Sequence, residues 1–431
     1  MSSLSLLTLI SLLAAFAYTY ETVDSFHFQF INFTFTNKED YASYVKDHSY
    51  QQVIPHTIRT YGHHIYVSLP RFTSFDTPAT FALFNPSTEL FIPFPCPEFN
   101  NATASPDNLQ SVLGFEINPH DGWMWILDQG RKNESGQWIS GPKIVVYDPI
   151  NHLVRRVSRL PDSLLTSSTF LSDLVLDPVS LIVYFTDAGI SKTGKEKAKG
   201  RLIKYVYEDD VFEVLVSDHQ STDSQDIWIT IDNQKVFEEF PLNVGIHGIA
   251  MDCQFKTLYF SPLTSRDFFS FDLSSKKVKR LGNKKCSSDD LFVSSFNHLY
   301  LTDVDHSRLL KTDLYNDGKD IIKHQQSFFH SELWPSSIDV NNGKLYFISN
   351  QLHNFLSKKI DWDHDENFVL SIITLDNEQE TSYLYGCFSQ PFNFHLELIG
   401  SAFLIIALCI VGYFYFRNRA PVRIPGGYLR V

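Results

Sequence analysis

Positive charge is scarce in this chain. Lys and Arg number 36 against 49 Asp and Glu, which gives a formal net charge of -13 at pH 7. Binding to nucleic acid relies on clustered Lys and Arg that neutralise phosphates, so we expect no nucleic-acid partner. Charged residues make up only 20% of the chain and aromatic residues 15%, with 37 Phe. That composition argues against disorder and can fill a large core.

Common catalytic signatures are also missing. The sequence contains no GxSxG nucleophile elbow, no phosphate-binding loop and no CxxC pair. His63 and His64 are adjacent and lack the spacing of an HExxH zinc helix. The stretch DWDHDEN (361–367) begins like a calcium loop, but Glu366 stands where glycine belongs and Ile372 where the closing glutamate belongs. We therefore predict no metal and no cofactor, and leave open whether the protein is an enzyme.

Cysteine is rare, with five residues. In an oxidising compartment an even number of cysteines suggests two disulfides, but four cysteines allow three connectivities and the sequence does not choose among them. The four candidates precede the last apolar run and are Cys96, Cys253, Cys286 and Cys387. Three glycosylation sequons fit a secretory route, at Asn32, Asn101 and Asn133.

Long apolar runs occur only at the two ends. Residues 1–17 carry no charge and end in Ala-Phe-Ala, which predicts a signal peptide; a short N-terminal membrane anchor is the alternative. Residues 398–416 are 19 residues without a charge, long enough to cross a hydrocarbon core of about 30 Å. Arginines follow at once in 417–431. We predict a type I single-pass membrane protein with an extracellular or lumenal ectodomain (18–390), a transmembrane helix (398–416) and a short basic cytosolic tail (417–431). A buried soluble helix is the alternative for 398–416.

One short phrase recurs through the chain, as VYFTDAG from Val183 and as LYLTDVD from Leu299. Six copies align on a single aromatic residue, namely Tyr66, Trp125, Tyr184, Tyr259, Tyr300 and Tyr346. Another alternating strand precedes most of these anchors, and apolar strands with hairpin turns follow them. Each copy therefore holds about four short strands.

Six four-stranded units with hardly any helical periodicity predict an all-β fold, a six-bladed β-propeller. Irregular spacing between the anchors, from 41 to 75 residues, is typical of blades with loops of different length. The N-terminal strands in FHFQFINFTFTN (26–37) are predicted to complete the last blade and close the ring. A β-sandwich is the alternative, but it does not explain six strand groups in the same order.

At these repeats the chain resembles the major royal jelly protein/yellow family. The resemblance covers about residues 56–356 in the family's order. The phrases that carry it are LQSVLGFEINP…WMWILDQG (109–130), FLSDLVLD…VYFTDAG (170–189), GIHGIAM…LYFSPLTSR (245–266), KCSSDDLFV (285–293) and LWPSSIDV…LYFISNQLHNF (333–355).

The resemblance implies a secreted six-bladed propeller with a central channel. Some members bind biogenic amines there, one branch is linked to conversion of dopachrome, and others are nutritive or structural. This chain departs from the family where innermost strands begin. It has Ser172-Asp173 for Asn-Asp, Ser288-Asp289-Asp290 for Ser-Asp-Gly and Trp334-Pro335-Ser336 for Trp-Pro-Asp. The predicted membrane span departs as well, so the fold carries over more safely than any ligand or activity.

Polar side chains at the starts of innermost strands are predicted to converge on the propeller axis. Carboxylates with a histidine can hold an amine cation by charge-assisted hydrogen bonds, and Phe115 or Trp334 can add a cation–π face. The predicted ligand-binding residues are Glu116, Asp173, His247, Asp289, Ser336 and Asn350. The alternative is that these groups satisfy strand-end backbone and ordered water. Asp128, Asp187 and Asp303, which recur at one strand end, are interpreted as turn caps.

Three classes of function remain open from the sequence. The first is a membrane-tethered propeller that binds a small amine or catechol in its channel without robust catalysis. The second is a metal-dependent hydrolase of the lactonase type, with Glu116, Asp173 and Asp289 as carboxylate ligands. The third is a receptor or adhesion ectodomain that binds a protein partner, which the sequence does not identify.

Overall fold

A computed structural model describes residues 22–190, 196–231, 234–237, 242–314, 325–331, 333–364 and 366–387. Its main feature is a set of six four-stranded antiparallel sheets, the blades. Strand β1 (Thr22–Phe28) belongs to blade 6. Blade 1 consists of β2 (Ile58–Tyr61), β3 (His64–Ser68), β4 (Phe81–Asn85) and β5 (Leu90–Pro93). Blade 2 consists of β6 (Val112–Ile117), β7 (Met124–Asp128), β10 (Lys143–Asp148) and β11 (Leu153–Arg159). A small hairpin of β8 (Arg131–Lys132) and β9 (Trp138–Ser140) interrupts blade 2.

The remaining blades follow the same plan. Blade 3 consists of β12 (Leu171–Asp177), β13 (Ile182–Asp187), β14 (Arg201–Val206) and β15 (Val211–Ser217). After the hairpin of β16 (Thr230–Ile231) and β17 (Gln234–Lys235), blade 4 consists of β18 (Ile246–Met251), β19 (Thr257–Pro262), β20 (Asp267–Asp272) and β21 (Lys277–Asn283). Blade 5 consists of β22 (Leu291–Val293), β23 (His298–Asp303), β24 (Arg308–Asp313) and β25 (Gln326–His330). Blade 6 consists of β26 (Trp334–Asn341), β27 (Lys344–Asn350), β28 (Phe368–Thr374) and β1.

The innermost strands form a closed ring. Contacts between neighbouring innermost strands run from β2 to β6, β12, β18, β22 and β26, and from β26 back to β2. The six anchor aromatics all lie in the second strand of their blades, as the repeats predict. Short helices occur outside the blades, as α1 (Lys38–Lys46), α2 (Pro97–Asn100) and α3 (Leu352–Leu356). The six-bladed propeller predicted from the sequence is confirmed.

The N-terminal strand closes the ring. Strand β1 pairs antiparallel with β28, with Phe26 opposite Leu370 and Phe28 opposite Phe368. The rings of Phe26 and Phe28 pack edge-on against Phe84 of blade 1, at centroid distances of 5.1 and 5.6 Å. Such pairs of rings stabilise beyond the area that they bury. The last blade is thus built from both ends of the propeller's chain, as predicted. The closing strand is Thr22–Phe28 rather than 26–37, because Phe33 instead forms a bridge with Phe91 of blade 1.

The recurrent aspartates cap turns. Asp128 accepts hydrogen bonds from the backbone N–H groups of Gln110, Ser111 and Gly130 at 2.7 to 3.0 Å. Asp187 accepts in the same way from the N–H of Phe170 at 2.8 Å. Buried strand-end amides need such partners because water does not reach them. Asp303 accepts from the N–H of His306 at 3.2 Å, so the structural role predicted for the three side chains is confirmed.

Two glycines allow neighbouring innermost strands to approach closely. A Cβ atom on Gly114 of β6 would lie 2.9 Å from the carbonyl oxygen of Ser172 in β12. A Cβ atom on Gly248 of β18 would lie 2.8 Å from the carbonyl oxygen of Asp289. Contacts this short force backbone shifts, so the ring geometry itself requires glycine at these places.

We expect Gly114→Ala to lower the free energy of unfolding by about 1–3 kcal/mol, the cost of overpacking a closely packed contact. Chemical denaturation measures the change. Gly141→Ala is the matched control, because a Cβ atom there meets no heavy atom within 4 Å. Equal stability of the two variants would show that the inner strands tolerate the added methyl group.

The segment after blade 6 lies across the ends of the innermost strands. Tyr383 is buried, and its hydroxyl accepts a hydrogen bond from the N–H of Leu176 in β12 at 2.9 Å. Ser382 forms a backbone bridge with Ser294, directly after β22. A disulfide joins Cys387 to Cys253, directly after β18. Residues 375–387, here called the plug, therefore cover this end of the channel.

Only one of the two disulfides suggested by the cysteine count is present among the described residues. Cys253 pairs with Cys387, whereas Cys96 and Cys286 are free. Cys96 lies at the start of α2, beyond blade 1. Cys286 is 1% exposed in the loop between blades 4 and 5, where its Sγ lies 3.9 Å from the hydroxyl oxygen of Ser288. These two thiols belong to different parts of the ring, so the prediction of a second bridge is wrong.

Several predictions concern residues that the structure does not describe. The signal peptide (1–17), the transmembrane helix (398–416) and the tail (417–431) lie outside the described residues. Within the described residues, no helix has the length and apolar character needed to cross a membrane. Of the three sequons, Asn101 and Asn133 are exposed and Asn32 is half-buried; their glycosylation stays a prediction.

Candidate functional site

A buried arginine lies among carboxylates of the innermost strands. Arg59 of β2 is 2% exposed, and its Nε lies 3.3 Å from Oε2 of Glu116. Its Nη2 lies 3.9 Å from Oδ1 of Asp173, and its Nη1 lies 4.0 Å from Oδ2 of Asp290. The carboxylate of Asp339 also acts on its charge. We call these five residues the Arg59 cluster.

The surroundings of the Arg59 cluster favour the charged form of the guanidinium and disfavour the charged form of the carboxyl groups. Burial alone would lower the pKa of Arg59, but Glu116, Asp290, Asp173 and Asp339 together raise it. Burial raises the pKa of all four carboxyl groups, and that of Glu116 reaches about 7. Four carboxylates around one cation cannot all ionise without cost. The cluster therefore holds protons at acidic pH.

The same carboxylates tie neighbouring blades together. Asp173 of β12 accepts a hydrogen bond from the N–H of Ile249 in β18, at 3.2 Å. Asp339 of β26 accepts one from the N–H of Thr60 in β2, at 2.8 Å. Oδ2 of Asp290, just before β22, accepts one from the N–H of Ile338 in β26, at 2.8 Å. Since these oxygens already have backbone donors and Arg59, the Arg59 cluster has a clear structural role.

The raised pKa of Glu116 predicts a pH dependence of stability. A carboxyl group with a raised pKa stabilises the fold below its ordinary value of 4.5, and this contribution is lost as the pH rises to about 7. Between pH 4.5 and 7.5 the wild type should lose more unfolding free energy than Glu116→Gln does. The difference should be up to about 3 kcal/mol. Denaturation at a series of pH values measures the difference.

Glu208→Gln is the control for that series, since Glu208 is exposed in a hairpin turn. It should follow the wild-type pH profile. If Glu116→Gln also follows the wild-type profile, Glu116 does not change its protonation state on folding.

A second cluster lies where the innermost strands begin. His56, His247 and Asp289 are all buried and offer ligand atoms within 4.8 Å of one another. Nδ1 of His247 lies 3.3 Å from Oδ1 of Asp289, and Nε2 of His56 lies 3.9 Å from Oδ2 of Asp289. We call these three residues the His–Asp cluster. It contains two of the predicted site residues and one, His56, that the sequence did not single out.

Hydrogen bonds orient the carboxylate of the His–Asp cluster. Oδ2 of Asp289 accepts from the indole Nε1 of Trp334 at 2.7 Å and from the hydroxyl of Ser336 at 3.3 Å. Oδ1 of Asp289 is buried and accepts no hydrogen bond, although Nδ1 of His247 lies 3.3 Å from it; that nitrogen is directed to the backbone oxygen of Asp289, at 3.0 Å. Buried polar atoms without a partner are uncommon in folded proteins. This oxygen is therefore a buried acceptor in the cluster that makes no hydrogen bond.

Burial sets the protonation of the His–Asp cluster. It raises the pKa of Asp289 to about 6, although His247 and Trp334 oppose that shift. It lowers the pKa of His56 to about 3, with a further contribution from His247. At pH 7 the cluster thus presents a neutral imidazole at His56 beside an ionised carboxylate.

Aromatic rings surround this end of the channel. Phe72 packs edge-on against His56 at 6.3 Å and stacks on Phe170 at 6.4 Å. Trp334 is fully buried and stacks on His353 at 6.2 Å. The surroundings of the His–Asp cluster thus include several aromatic faces beside the polar groups of Thr57 and Ser336.

The predicted site residues divide into three groups. His247, Asp289 and Ser336 meet at the start of the innermost strands, whereas Glu116 and Asp173 surround Arg59. Asn350 contacts backbone only: it donates to the carbonyl of Pro55 at 2.8 Å and accepts from the N–H of Leu352 at 2.9 Å.

The sequence interpretation missed Arg59, His56, Asp290 and Asp339. Arg59 lies seven residues before the anchor Tyr66, which is the spacing of an innermost strand in the other repeats. A charged residue inside such a strand was the available signal. Asp339 carried the same signal, since it lies in the strand that precedes the anchor Tyr346.

The chain is similar to known proteins across the propeller. The family model described as "Major royal jelly protein" matches residues 110–382. Major royal jelly protein 3 of Apis mellifera is 30% identical over 156 residues, which cover 35% of this chain and 26% of that protein. Major royal jelly protein 2 of Apis mellifera is 32% identical over 149 residues, which cover 34% of this chain and 31% of that protein. The aligned parts span about a third or less of these honeybee proteins.

Some solved structures match the chain at low identity. A putative gluconolactonase is 11% identical with a TM-score of 0.47, over 77% of this chain and 91% of that one. A luciferin-regenerating enzyme is 12% identical with a TM-score of 0.46, over 76% and 95%. Neither likeness bears on function. The family model, by contrast, covers more than half of the chain, and the protein belongs to the major royal jelly protein family.

Proposed function

We propose that the protein binds a small aromatic ligand, a biogenic amine or a catechol, at the end of the channel that holds the His–Asp cluster, without robust turnover. One observation carries the proposal: Oδ1 of Asp289 is a buried acceptor without a donor. An ammonium or a catechol hydroxyl would supply that donor. Hydrogen bonds to an ionised carboxylate are the stronger kind.

The rings near Asp289 suit an aromatic ligand. Phe72, Phe170 and Trp334 supply flat apolar faces close to the histidines. Ligand sites in proteins commonly combine mainly apolar walls with a few well-placed polar groups. His247 and His56 add ring nitrogens that can donate to, or accept from, ligand hydroxyls.

The Arg59 cluster is the less suitable place for an amine. Its guanidinium already neutralises Glu116 and Asp173 in part, and a second cation would be repelled by Arg59. Arg59 also disfavours the lactonase-type alternative, because it would repel a metal cation. Two of the three proposed carboxylate ligands, Glu116 and Asp173, lie beside Arg59, and only Asp289 belongs to the His–Asp cluster. No observation favours a protein-binding role over these.

Calorimetric titration of the full-length protein with dopamine and serotonin, in EDTA-treated buffer, tests the proposal. We expect saturable binding of one ligand per chain and at least a tenfold weaker affinity in Asp289→Asn. A lost hydrogen bond to a charged group corresponds to about 1.5–3 kcal/mol. Dopachrome incubated with the protein should decay at its spontaneous rate.

Asp173→Asn is the matched comparison, since Asp173 belongs to the Arg59 cluster. Its ligand affinity should stay within about threefold of wild type. If Asp173→Asn abolishes binding and Asp289→Asn does not, the ligand lies beside Arg59. If the wild type binds neither compound, the proposed ligand class is wrong.

Membrane attachment is part of the proposal and rests on residues 398–416 and the arginines after them. We expect the full-length protein to remain in the membrane pellet after carbonate extraction. A chain ending at residue 397 should instead be secreted into the medium of expressing cells. Release of the full-length protein by carbonate would contradict a membrane span.

A further inference from the structure

We propose that His56, His247 and Asp289 form a binding site for one divalent transition-metal ion of the zinc type. Each residue supplies one ligand atom, and the three atoms lie within 4.8 Å of one another. Ligand atoms around a tetrahedral zinc ion, with bonds of about 2.0–2.2 Å, lie roughly 3.3–3.6 Å apart. Small side-chain rotations therefore bring all three atoms into range of a single ion.

The three ligands lie far apart in the sequence, so no short sequence motif indicates the site. His56 lies two residues before β2 of blade 1, His247 lies in β18 of blade 4, and Asp289 lies two residues before β22 of blade 5. The ring closure alone brings them together. A spacing-based search such as that for HExxH has no means of detecting ligands from three separate repeats.

Outer contacts hold the ligands as a metal site requires. Ligating histidines usually donate their other ring N–H to an oxygen atom, which fixes the ring orientation. Nδ1 of His247 lies 3.0 Å from the backbone oxygen of Asp289, and Nδ1 of His56 lies 3.2 Å from Oγ1 of Thr57. In His56 this leaves Nε2, which lies 3.9 Å from Oδ2 of Asp289, to bind a metal. In His247 it is Nδ1 that lies 3.3 Å from Oδ1 of Asp289, so this ring would turn to bind the ion.

Hydrogen bonds also orient the carboxylate of Asp289. Oδ2 of Asp289 is held by Trp334 and Ser336, and Oδ1 is buried without a donor. The side chain of Asp289 is fully buried, and a metal ion would give Oδ1 the partner that no hydrogen bond supplies. Two imidazoles and one carboxylate favour zinc, cobalt or iron over calcium, which prefers oxygen ligands alone.

The metal site goes beyond the proposed function and does not depend on it. Three protein ligands leave at least one coordination position open. A bound metal would occupy Oδ1 of Asp289, so an ammonium would lose its acceptor there. The oxygens of a catechol could instead complete the coordination of the metal.

Titration of EDTA-treated, dialysed full-length protein with Zn²⁺, and with Co²⁺ for its absorption bands, tests the site without any organic ligand. We expect one ion per chain and a cobalt spectrum of a nitrogen- and oxygen-ligated site. His56→Ala and Asp289→Asn should each weaken zinc binding by more than about tenfold. Thr57→Val and Trp334→Phe, which remove outer contacts only, should weaken it by about 10-fold to 100-fold.

His63→Ala is the matched control, because His63 is an exposed histidine just after β2; it should bind zinc as the wild type does. X-ray absorption of the wild-type zinc complex gives a second measurement that needs no variant. It should show nitrogen and oxygen neighbours and no sulfur. Undiminished binding in His56→Ala and Asp289→Asn, sulfur neighbours, or no bound ion in the wild type would each overturn the inference.

This test separates the two proposals. Zinc binding without dopamine or serotonin binding supports the metal site and contradicts the ligand proposal. Binding of dopamine or serotonin in EDTA, without any zinc binding, supports the ligand proposal and contradicts the metal site.

Discussion

Arg59→Met is expected to lower the free energy of unfolding by about 3–5 kcal/mol, the cost of leaving one partner of a buried ion pair alone. Arg59 is the cation among four buried carboxylates and also donates to the carbonyls of Ile58 and Ile338, at 2.8 and 3.0 Å. Methionine fills the same space but restores none of these contacts. The four carboxylates of the Arg59 cluster would lose the cation that they surround.

Chemical denaturation of the two proteins at pH 7.5 measures the change. Arg159→Met is the control, because Arg159 and its partner Asp107 form an exposed ion pair that should contribute less than about 1 kcal/mol. At pH 4.5, where the carboxyl groups hold more protons, the cost of Arg59→Met should shrink. A cost below 1 kcal/mol at both pH values would mean that Arg59 does not hold the cluster together.

Cys253→Ser is expected to lower the free energy of unfolding by about 2–5 kcal/mol. The disulfide closes a chain segment of 134 residues, and long closed loops restrict the unfolded chain most. It also fastens the plug to blade 4. Without it, the plug retains the contacts of Glu380 with Ser294 and Tyr300, at 2.6 and 2.8 Å.

The same denaturation assay tests this expectation, and proteolysis of the plug adds a local measurement. Cleavage near residue 387 should become faster in Cys253→Ser than in the wild type. Cys96→Ser is the control, since Cys96 is free and only half-buried; it should change stability by less than about 0.5 kcal/mol. Equal effects of the two substitutions would show that the bridge contributes nothing to the fold.

The fold follows from the sequence because its signal is local and repeated. Each blade carries an anchor aromatic such as Trp125 or Tyr300 in its second strand, and both of these are fully buried. The strand period is set within a few residues, so six copies identify the architecture. Closure by β1 was also predictable, since the alternating phenylalanines at the N-terminus need a sheet to join.

The site was only partly predictable, because it depends on register across repeats. Asp289 and Asp290 are adjacent in sequence, yet one belongs to the His–Asp cluster and the other to the Arg59 cluster. The chain bends here, just before β22, and the N–H groups of both residues donate to the hydroxyl of Thr302, at 2.8 and 3.0 Å. Which carboxylates are neutralised depends on Arg59, which reaches them only after the ring has closed. The pairing of Cys253 with Cys387 likewise depends on where the plug lies.

A crystal structure of the protein with bound dopamine would test the central claim most directly. We predict electron density for the ligand at the start of the innermost strands, with a ligand donor within hydrogen-bond distance of Asp289. The ring should lie against Phe72 or Trp334. Density beside Arg59, density outside the channel, or no density at a saturating concentration would contradict it.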